Sequence, residues 1–279
     1  MNTDAPFAAH APERGQRIAL GVSYGGEAYQ GWQSQRSGCT VQDWLEAALT
    51  QFACEPIATR CAGRTDAGVH ALMQVVHFDT ARQRSAASWI RGTNRYLPSD
   101  IAVQWAQPVP SAFHARGSAR SRRYGYRLLE SPVRPSVETG KVGWSFRTLD
   151  GPAMEAAAAR LVGEHDFTSF RAAACQAASP VKTLHSIRLL ARGSAGARYW
   201  WFEFEANAFL HHMIRNIMGC LIAIGHGAKP VAWIDTVLSA RDRAVAAPTF
   251  SAAGLYFLGP VYEAHWGLPQ QTAAYHWIA

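Results

Sequence analysis

Between Arg60 and Ala71 the chain reads RCAGRTDAGVHA, which sets Asp66, two arginines and His70 among residues too small to shield any of them. An ionised carboxylate near guanidinium groups can act as a nucleophile that forms a covalent intermediate, because the cations favour its charged form. Chemistry of the aspartic-protease kind needs two carboxylates sharing a proton, and Thr-Asp-Ala-Gly occurs only once here. Asp66 would therefore act alone. Asp beside Gly also suits a plain turn, so this segment on its own leaves both readings open.

A second source of cations is NAFLHHMIRN, residues 207–216, where Arg215 interrupts the apolar helical pattern of Phe209, Met213, Ile217, Cys220, Leu221 and Ile224. By spacing alone Arg215 equally fits a side chain snorkelling on an exposed face, and His211 and His212 fit surface or capping polarity. A third cluster, RGSARSRRYGYR, spans residues 116–127. On an uninterrupted strand over 118–130, Arg120, Arg122, Tyr124 and Tyr126 project from one face. Cations beside aromatic rings suit backbone phosphates and unstacked bases. Tyr124 is the better stacking candidate, whereas Tyr126 also fits the core beneath an edge strand.

The composition points the same way. Lys and Arg number 27 against 20 Asp and Glu, giving a net charge of +7 and a pI near 9.4. That balance favours a polyanionic partner, with nucleic acid ahead of a membrane surface. The five cysteines, at 39, 54, 61, 175 and 220, form no C-x-x-C pair and sit mostly among apolar neighbours. They are expected to be buried free thiols in a reducing cytoplasm, without a zinc site. His70, His77, His211 and His212 have no recognisable ligand spacing, which makes a metal-dependent hydrolase built on them and Asp66 the weakest reading. A phosphate-binding G-x-x-x-x-G-K-[ST] loop and an H-E-x-x-H pair are both absent from the sequence.

For these clusters to meet, strands and helices must carry them there. Ile18–Tyr24 is an apolar run closed by Gly25-Gly26, a strand and a turn. Thr40, with Asp43 three residues on, marks the start of an amphipathic helix over 41–53 whose stripe is Val41, Trp44, Leu45, Ala48, Leu49 and Phe52. Strands near 57–62 and 74–79 flank the Asp66 segment and place it on a strand-to-strand connection. A helix over 86–95 and a strand over 101–109 follow. The second half predicts a strand over 118–130, a helix over 151–162 and strands over 185–192 and 199–206. Helices over 209–225 and 231–240 and a last strand over 255–261 complete it. Residues 131–149 and 171–183 read as long loops that can cover a substrate. Strands that follow one another directly predict an α+β fold with a largely antiparallel sheet and flanking helices. Residues 1–16 mix Pro, Asp, Glu and Arg and read as a loose tail, not a signal peptide, and no apolar run approaches the length of a membrane span. The body divides into an N-terminal half, 17–112, carrying Asp66, and a C-terminal half, 113–279, completing the site.

Taken in order, these motifs make the chain resemble the bacterial tRNA pseudouridine synthase A family over nearly its whole length. CAGRTDAGVHA at 61–71 is similar to the family's catalytic segment. YQGWQ at 29–33, TVQ at 40–42, LPSDI at 97–101 and FHAR at 113–116 match its first half. GEHDFTSF at 163–170, NAFLHHMIR at 207–215 and GLY at 254–256 match its second. The resemblance implies two related halves around a catalytic cleft, a cytoplasmic homodimer gripping one tRNA, and no cofactor or metal. It also implies the reaction: uridines at positions 38, 39 and 40 of the anticodon stem and loop lose their N-glycosidic bond and are rejoined to ribose through C5.

Carried over residue by residue, Asp66 is the nucleophile, Arg64 holds the flipped nucleotide's place, Tyr124 stacks on the target base and Arg215 pairs with Asp66. Arg116, Arg120, Arg122 and His70 are expected to join Arg64 and Tyr124 in contacting the RNA. Flipping a base out of a helix costs unstacking energy, which stacking on Tyr124 offsets in part. One carboxylate serves attack at C1′ of the ribose or at C6 of the uracil equally well, and Tyr124 is a candidate base for the C5 proton. A non-catalytic RNA-binding protein would keep the basic surface but has no use for the set Asp66, Arg64, Tyr124 and Arg215. One departure stands out: Tyr24-Gly25-Gly26 replaces the family's usual Tyr-Asp-Gly.

Overall fold

The computed structural model describes residues 15–194 and 196–269. Of the expected N-terminal tail, residues 1–14 lie outside them, and Gln16 already opens the first strand. The N-terminal elements are β1 (Gln16–Tyr24), α1 (Val41–Ala53), β2 (Arg60–Cys61), β3 (His70–Thr80), α2 (Ala86–Asn94) and β4 (Ile101–Val109). There follow β5 (Ala119–Glu130), β6 (Gly143–Ser145), α3 (Gly151–Ala159), β7 (Gly163–Asp166), β8 (Val181–Ser194) and β9 (Ala197–Ala206). The chain then runs through α4 (Met213–Gly225), α5 (Trp233–Ala240) and β10 (Leu255–Tyr262).

The strands join in one sheet of order β4-β1-β3-β10-β5-β9-β8-β7, with β2 on β3 and β6 on β5. Pairings are antiparallel except β10 with β3 and β5 with β6. This is the largely antiparallel α+β arrangement that directly consecutive strands predict. The seam is β10, which sets Tyr256 opposite His70 and Phe257 opposite Ala71 on one side and pairs with β5 on the other. The last strand thereby ties the early strands to the later ones.

Period-two alternation decides which side chains meet the helices. Along β1, Ile18, Leu20, Val22 and Tyr24 enter the large core, and Ala19 joins a smaller cluster with Met73, Val75 and Phe113. Buried residues of all five α-helices belong to that large core, so the helices share one side of the sheet. They pack mainly as two groups, α1 against α2 and α3 against α4. Helix α1 begins with the expected reciprocal cap: the Thr40 hydroxyl accepts from the Asp43 N–H while the Asp43 carboxylate accepts from the Thr40 N–H.

Several expectations need correction. Trp44 lies at the margin of the α1 stripe and is 46% exposed. Helix α4 begins at Met213, not 209, leaving Phe209, His211 and His212 in the preceding loop. Residues 131–149 contain β6, and β2 is only two residues long. Buried thiols hold for Cys220 alone: Cys39 and Cys54 are exposed, Cys61 and Cys175 half-buried, and all five are free. Gly21-Val22-Ser23-Tyr24-Gly25 has the spacing of a serine-hydrolase elbow, yet Ser23 lies within β1 and accepts a hydrogen bond from Gln104.

His77 illustrates how burial couples this sheet to pH. Only 3% exposed, it accepts from the Ala115 N–H through Nδ1 at 3.2 Å. Burial, aided by Arg17 and His114, lowers its pKa to about 4. The unfolded chain gains this proton near the ordinary histidine value while the folded chain resists until about pH 4, so stability falls as pH drops through that window. The loss reaches about 3 kcal/mol at its lower end. Urea unfolding at pH 7 and pH 4.5 is expected to show this decline, and His77→Gln is expected to flatten it. An equal decline in the variant would assign the effect elsewhere.

Candidate active site

The loop from Ala62 to Val69 joins β2 to β3, as expected, and is held from three directions. The Trp32 N–H donates to the Thr65 carbonyl at 3.0 Å, and the Thr65 hydroxyl shares a 2.7 Å hydrogen bond with the Tyr24 hydroxyl. The Val69 N–H closes the turn onto the Asp66 carbonyl at 3.1 Å. Gln74, fully buried on β3, clamps Gly63 by donating to its carbonyl and accepting from its N–H. A lone amide inside the apolar run LMQVVHF was a readable sign of such a duty, because a buried amide needs partners.

Gly31 explains why the YQGWQ segment accompanies the Asp66 loop. It adopts φ +87°, and a Cβ there would stand 2.7 Å from the Thr65 carbonyl oxygen and 3.1 Å from the Asp66 carbonyl carbon. Gly31→Ala is therefore expected to push the loop off its seat and lower kcat by about 10²-fold, as displacements near 1 Å do. Steady-state kinetics check this, with KM changing less than kcat.

Around the carboxylate, α4 and the loop before it supply the partners found among the described residues. Asp66 Oδ1 lies 3.3 Å from His211 Nε2; Oδ2 lies 3.4 Å from Arg215 Nη1 and 3.5 Å from His212 Nε2. Arg215 is itself anchored, its Nε donating to the Phe250 carbonyl at 2.9 Å. Its side chain is only 17% exposed, so the snorkelling alternative is excluded by burial and by both contacts. His212 takes a left-handed φ of 63°, which lets two successive imidazoles converge, with ring centroids 4.1 Å apart. Burial lowers the His212 pKa against the opposing pull of Asp66, favouring a neutral ring.

Tyr124 projects from β5 toward the same loop, its hydroxyl near Gly63. The ring is 8% exposed, with Phe257 tilted against it at 4.8 Å and Phe209 edge-on at 5.1 Å. Burial, and then the charge of Asp66, raise its pKa well above the ordinary tyrosine range. A phenol held neutral stacks and donates hydrogen bonds readily; it takes up a proton only by passing its own on.

The other expected RNA contacts fall into different surroundings. Arg64 and Arg116 are exposed, and their side chains make no hydrogen bond or ion pair among the described residues. Arg120 is exposed and pairs with Glu263. Arg122 does share the Tyr124 face, but its guanidinium donates to the carbonyls of Ala119, Asn207, Ala62 and Arg116. It ties the Asp66 loop to the loop before α4 instead of facing solvent. Tyr126 is fully buried and donates to the Ser251 carbonyl. His70 is corrected most: it is 4% exposed and stacked on Tyr256 at 4.7 Å. Its Nδ1 accepts from the Gly26 N–H, and its Nε2 lies 2.8 Å from the Gly140 carbonyl. It braces the seam with β10 and is closed to RNA. At Gly25, where the family usually has Asp, a Cβ would meet only Asp100 Cβ at 3.9 Å, so the backbone there has room for a side chain.

A family profile described as tRNA pseudouridine synthase matches residues 21–116 and 157–263, spans that contain Asp66 and its three partners. The chain belongs to the tRNA pseudouridine synthase family. The tRNA pseudouridine synthase A of Polaromonas naphthalenivorans is 69% identical over 262 residues, covering 94% of this chain and 99% of the relative. That of Paracidovorax citrulli is 64% identical over 276 residues, with the same coverage of both chains. As a tRNA pseudouridine synthase the chain is an isomerase acting on uridine in tRNA. No helix among the described residues is long and apolar enough to cross a membrane.

Proposed function

We propose that the chain converts uridine to pseudouridine at positions 38, 39 and 40 of the tRNA anticodon stem and loop, with Asp66 as the nucleophile. The observation that carries this reading is a half-buried carboxylate flanked at 3.3–3.5 Å by Arg215, His211 and His212, with the Tyr124 hydroxyl close to the same loop. These partners fix the carboxylate's position in the cleft, and a carboxylate so placed can serve as a nucleophile. The resemblance further implies a cytoplasmic homodimer that works without a cofactor.

In this reading the target uridine leaves its stack and enters beside Asp66. Phe209, the half-buried ring against Tyr124, turns aside so that the base can lie on the tyrosine. Asp66 attacks C1′ and displaces the uracil, or adds to C6 and loosens the same bond. In either case N1–C1′ breaks, the base turns within the site, C5–C1′ forms and the bond to Asp66 breaks, which returns the free carboxylate. The C5 proton departs and N1 regains one, so the product is an isomer of the substrate and nothing is consumed. Arg64 and Arg116, exposed and without an ion pair among the described residues, are the cations placed to meet phosphates or fill the vacated stack.

Mapping pseudouridine in unmodified tRNA before and after adding the purified protein tests the positions. New pseudouridine is expected at 38–40 in the anticodon arm. Product confined to another arm of the tRNA would sink the assignment.

A further inference from the structure

We infer that Asp66, His211 and His212 form a binding site for a borderline-soft divalent cation, zinc being the best match, and that the bound ion switches the enzyme off by occupying the nucleophile. The inhibitory half rests on the reading of Asp66 as that nucleophile; the binding half does not.

The ligand atoms of these three residues all lie within 4.8 Å of one another. Tetrahedral zinc with bonds of about 2.1 Å requires neighbouring ligands about 3.4 Å apart. His211 Nε2 lies 3.3 Å from Asp66 Oδ1 and His212 Nε2 lies 3.5 Å from Oδ2, so each imidazole stands about one edge length from one of the two carboxylate oxygens. Drawing the two imidazoles in from within that 4.8 Å span onto one of the carboxylate oxygens completes the set. Adjacent histidines in an extended chain point apart, so spacing in the sequence hid this grouping; the left-handed backbone at His212 reverses that divergence. His70 and His77, bound to other elements, take no part.

Two imidazoles and one carboxylate suit zinc, cobalt and nickel, whereas magnesium prefers oxygen ligands and retains its water. Three protein ligands leave a fourth position open, as in exchangeable sites. Arg215, 3.4 Å from the carboxylate and anchored on Phe250, repels an incoming cation. The ion is therefore a reversible occupant, competing with uridine for the same oxygen.

The test titrates cobalt(II) into the full-length protein without tRNA, with Cys39→Ser and Cys54→Ser removing the exposed thiols. Visible d–d bands of a four-coordinate ion are expected, displaced by zinc and absent in His211→Ala and in Asp66→Asn. In parallel, micromolar zinc is expected to lower pseudouridine formation by an order of magnitude or more. A chelator restores it, and millimolar magnesium has no such effect. Bands that persist in both variants, or that never form, overturn the site. Zinc that inhibits the wild type and His211→Ala alike also overturns it, by placing the ion elsewhere. Failure of the nucleophile reading shows separately, as turnover retained by Asp66→Asn.

Discussion

Asp66→Asn is expected to lower pseudouridine formation by at least about 10⁴-fold while leaving tRNA binding within a few-fold of wild type. The amide matches the carboxylate in shape, so the 2.7 Å hydrogen bond between Tyr24 and Thr65 and the Trp32 and Gly31 supports of the loop remain. What disappears is the anionic oxygen, and with it attack at either carbon. Exposed cations such as Arg64 and Arg116 are untouched, and the electrostatic part of RNA binding stays with them. Single-turnover release of tritium from C5-labelled tRNA, beside a filter-binding titration, separates the two quantities. Turnover within tenfold of wild type would show that another group does the chemistry.

Arg215→Ala is expected to cost about 10²- to 10³-fold in kcat with a smaller change in KM. Removing one partner of a half-buried ion pair leaves the other uncompensated, worth about 3–4 kcal/mol when the pair is well shielded. Here the guanidinium serves two acceptors at once, Asp66 Oδ2 at 3.4 Å and the Phe250 carbonyl at 2.9 Å. Lysine carries the charge but not the fork, so Arg215→Lys is expected to recover only part of the loss. A rise in KM at unchanged kcat would instead make Arg215 an RNA contact. The comparison is sharpest against Arg116→Ala, whose exposed side chain makes no hydrogen bond or ion pair among the described residues and which is expected to raise KM alone.

Much of the scaffold was legible because it rests on local periodicity. The Thr40–Asp43 cap and the α1 span, the strand Ile101–Val109, and the alternation that sets Arg122, Tyr124 and Tyr126 on one face of β5 all follow from patterns within a dozen residues. Errors arose where the period was marginal or the partner distant. Trp44 lies at the margin of its stripe, and the α4 pattern runs on through Phe209 although the backbone turns left-handed at His212. His70 and Arg122 carry the residue types of RNA contacts, but carbonyls and N–H groups from remote segments claim them first.

By itself the sequence determined the element types, the place of Asp66 on a strand connection, and, through its motifs, the family. Only the tertiary structure decided which cations serve that carboxylate. Asp66 and Arg215 are 149 residues apart in the chain, and they meet because β10 pairs with β3 on one side and β5 on the other. Neither pairing is written in any local stretch: both depend on burying the apolar faces of the strands under two groups of helices, which only the folded chain satisfies together. The convergence of His211 and His212 on Asp66 follows from the same closure, since one reversed backbone angle at the start of α4 turns two neighbouring rings toward a single carboxylate.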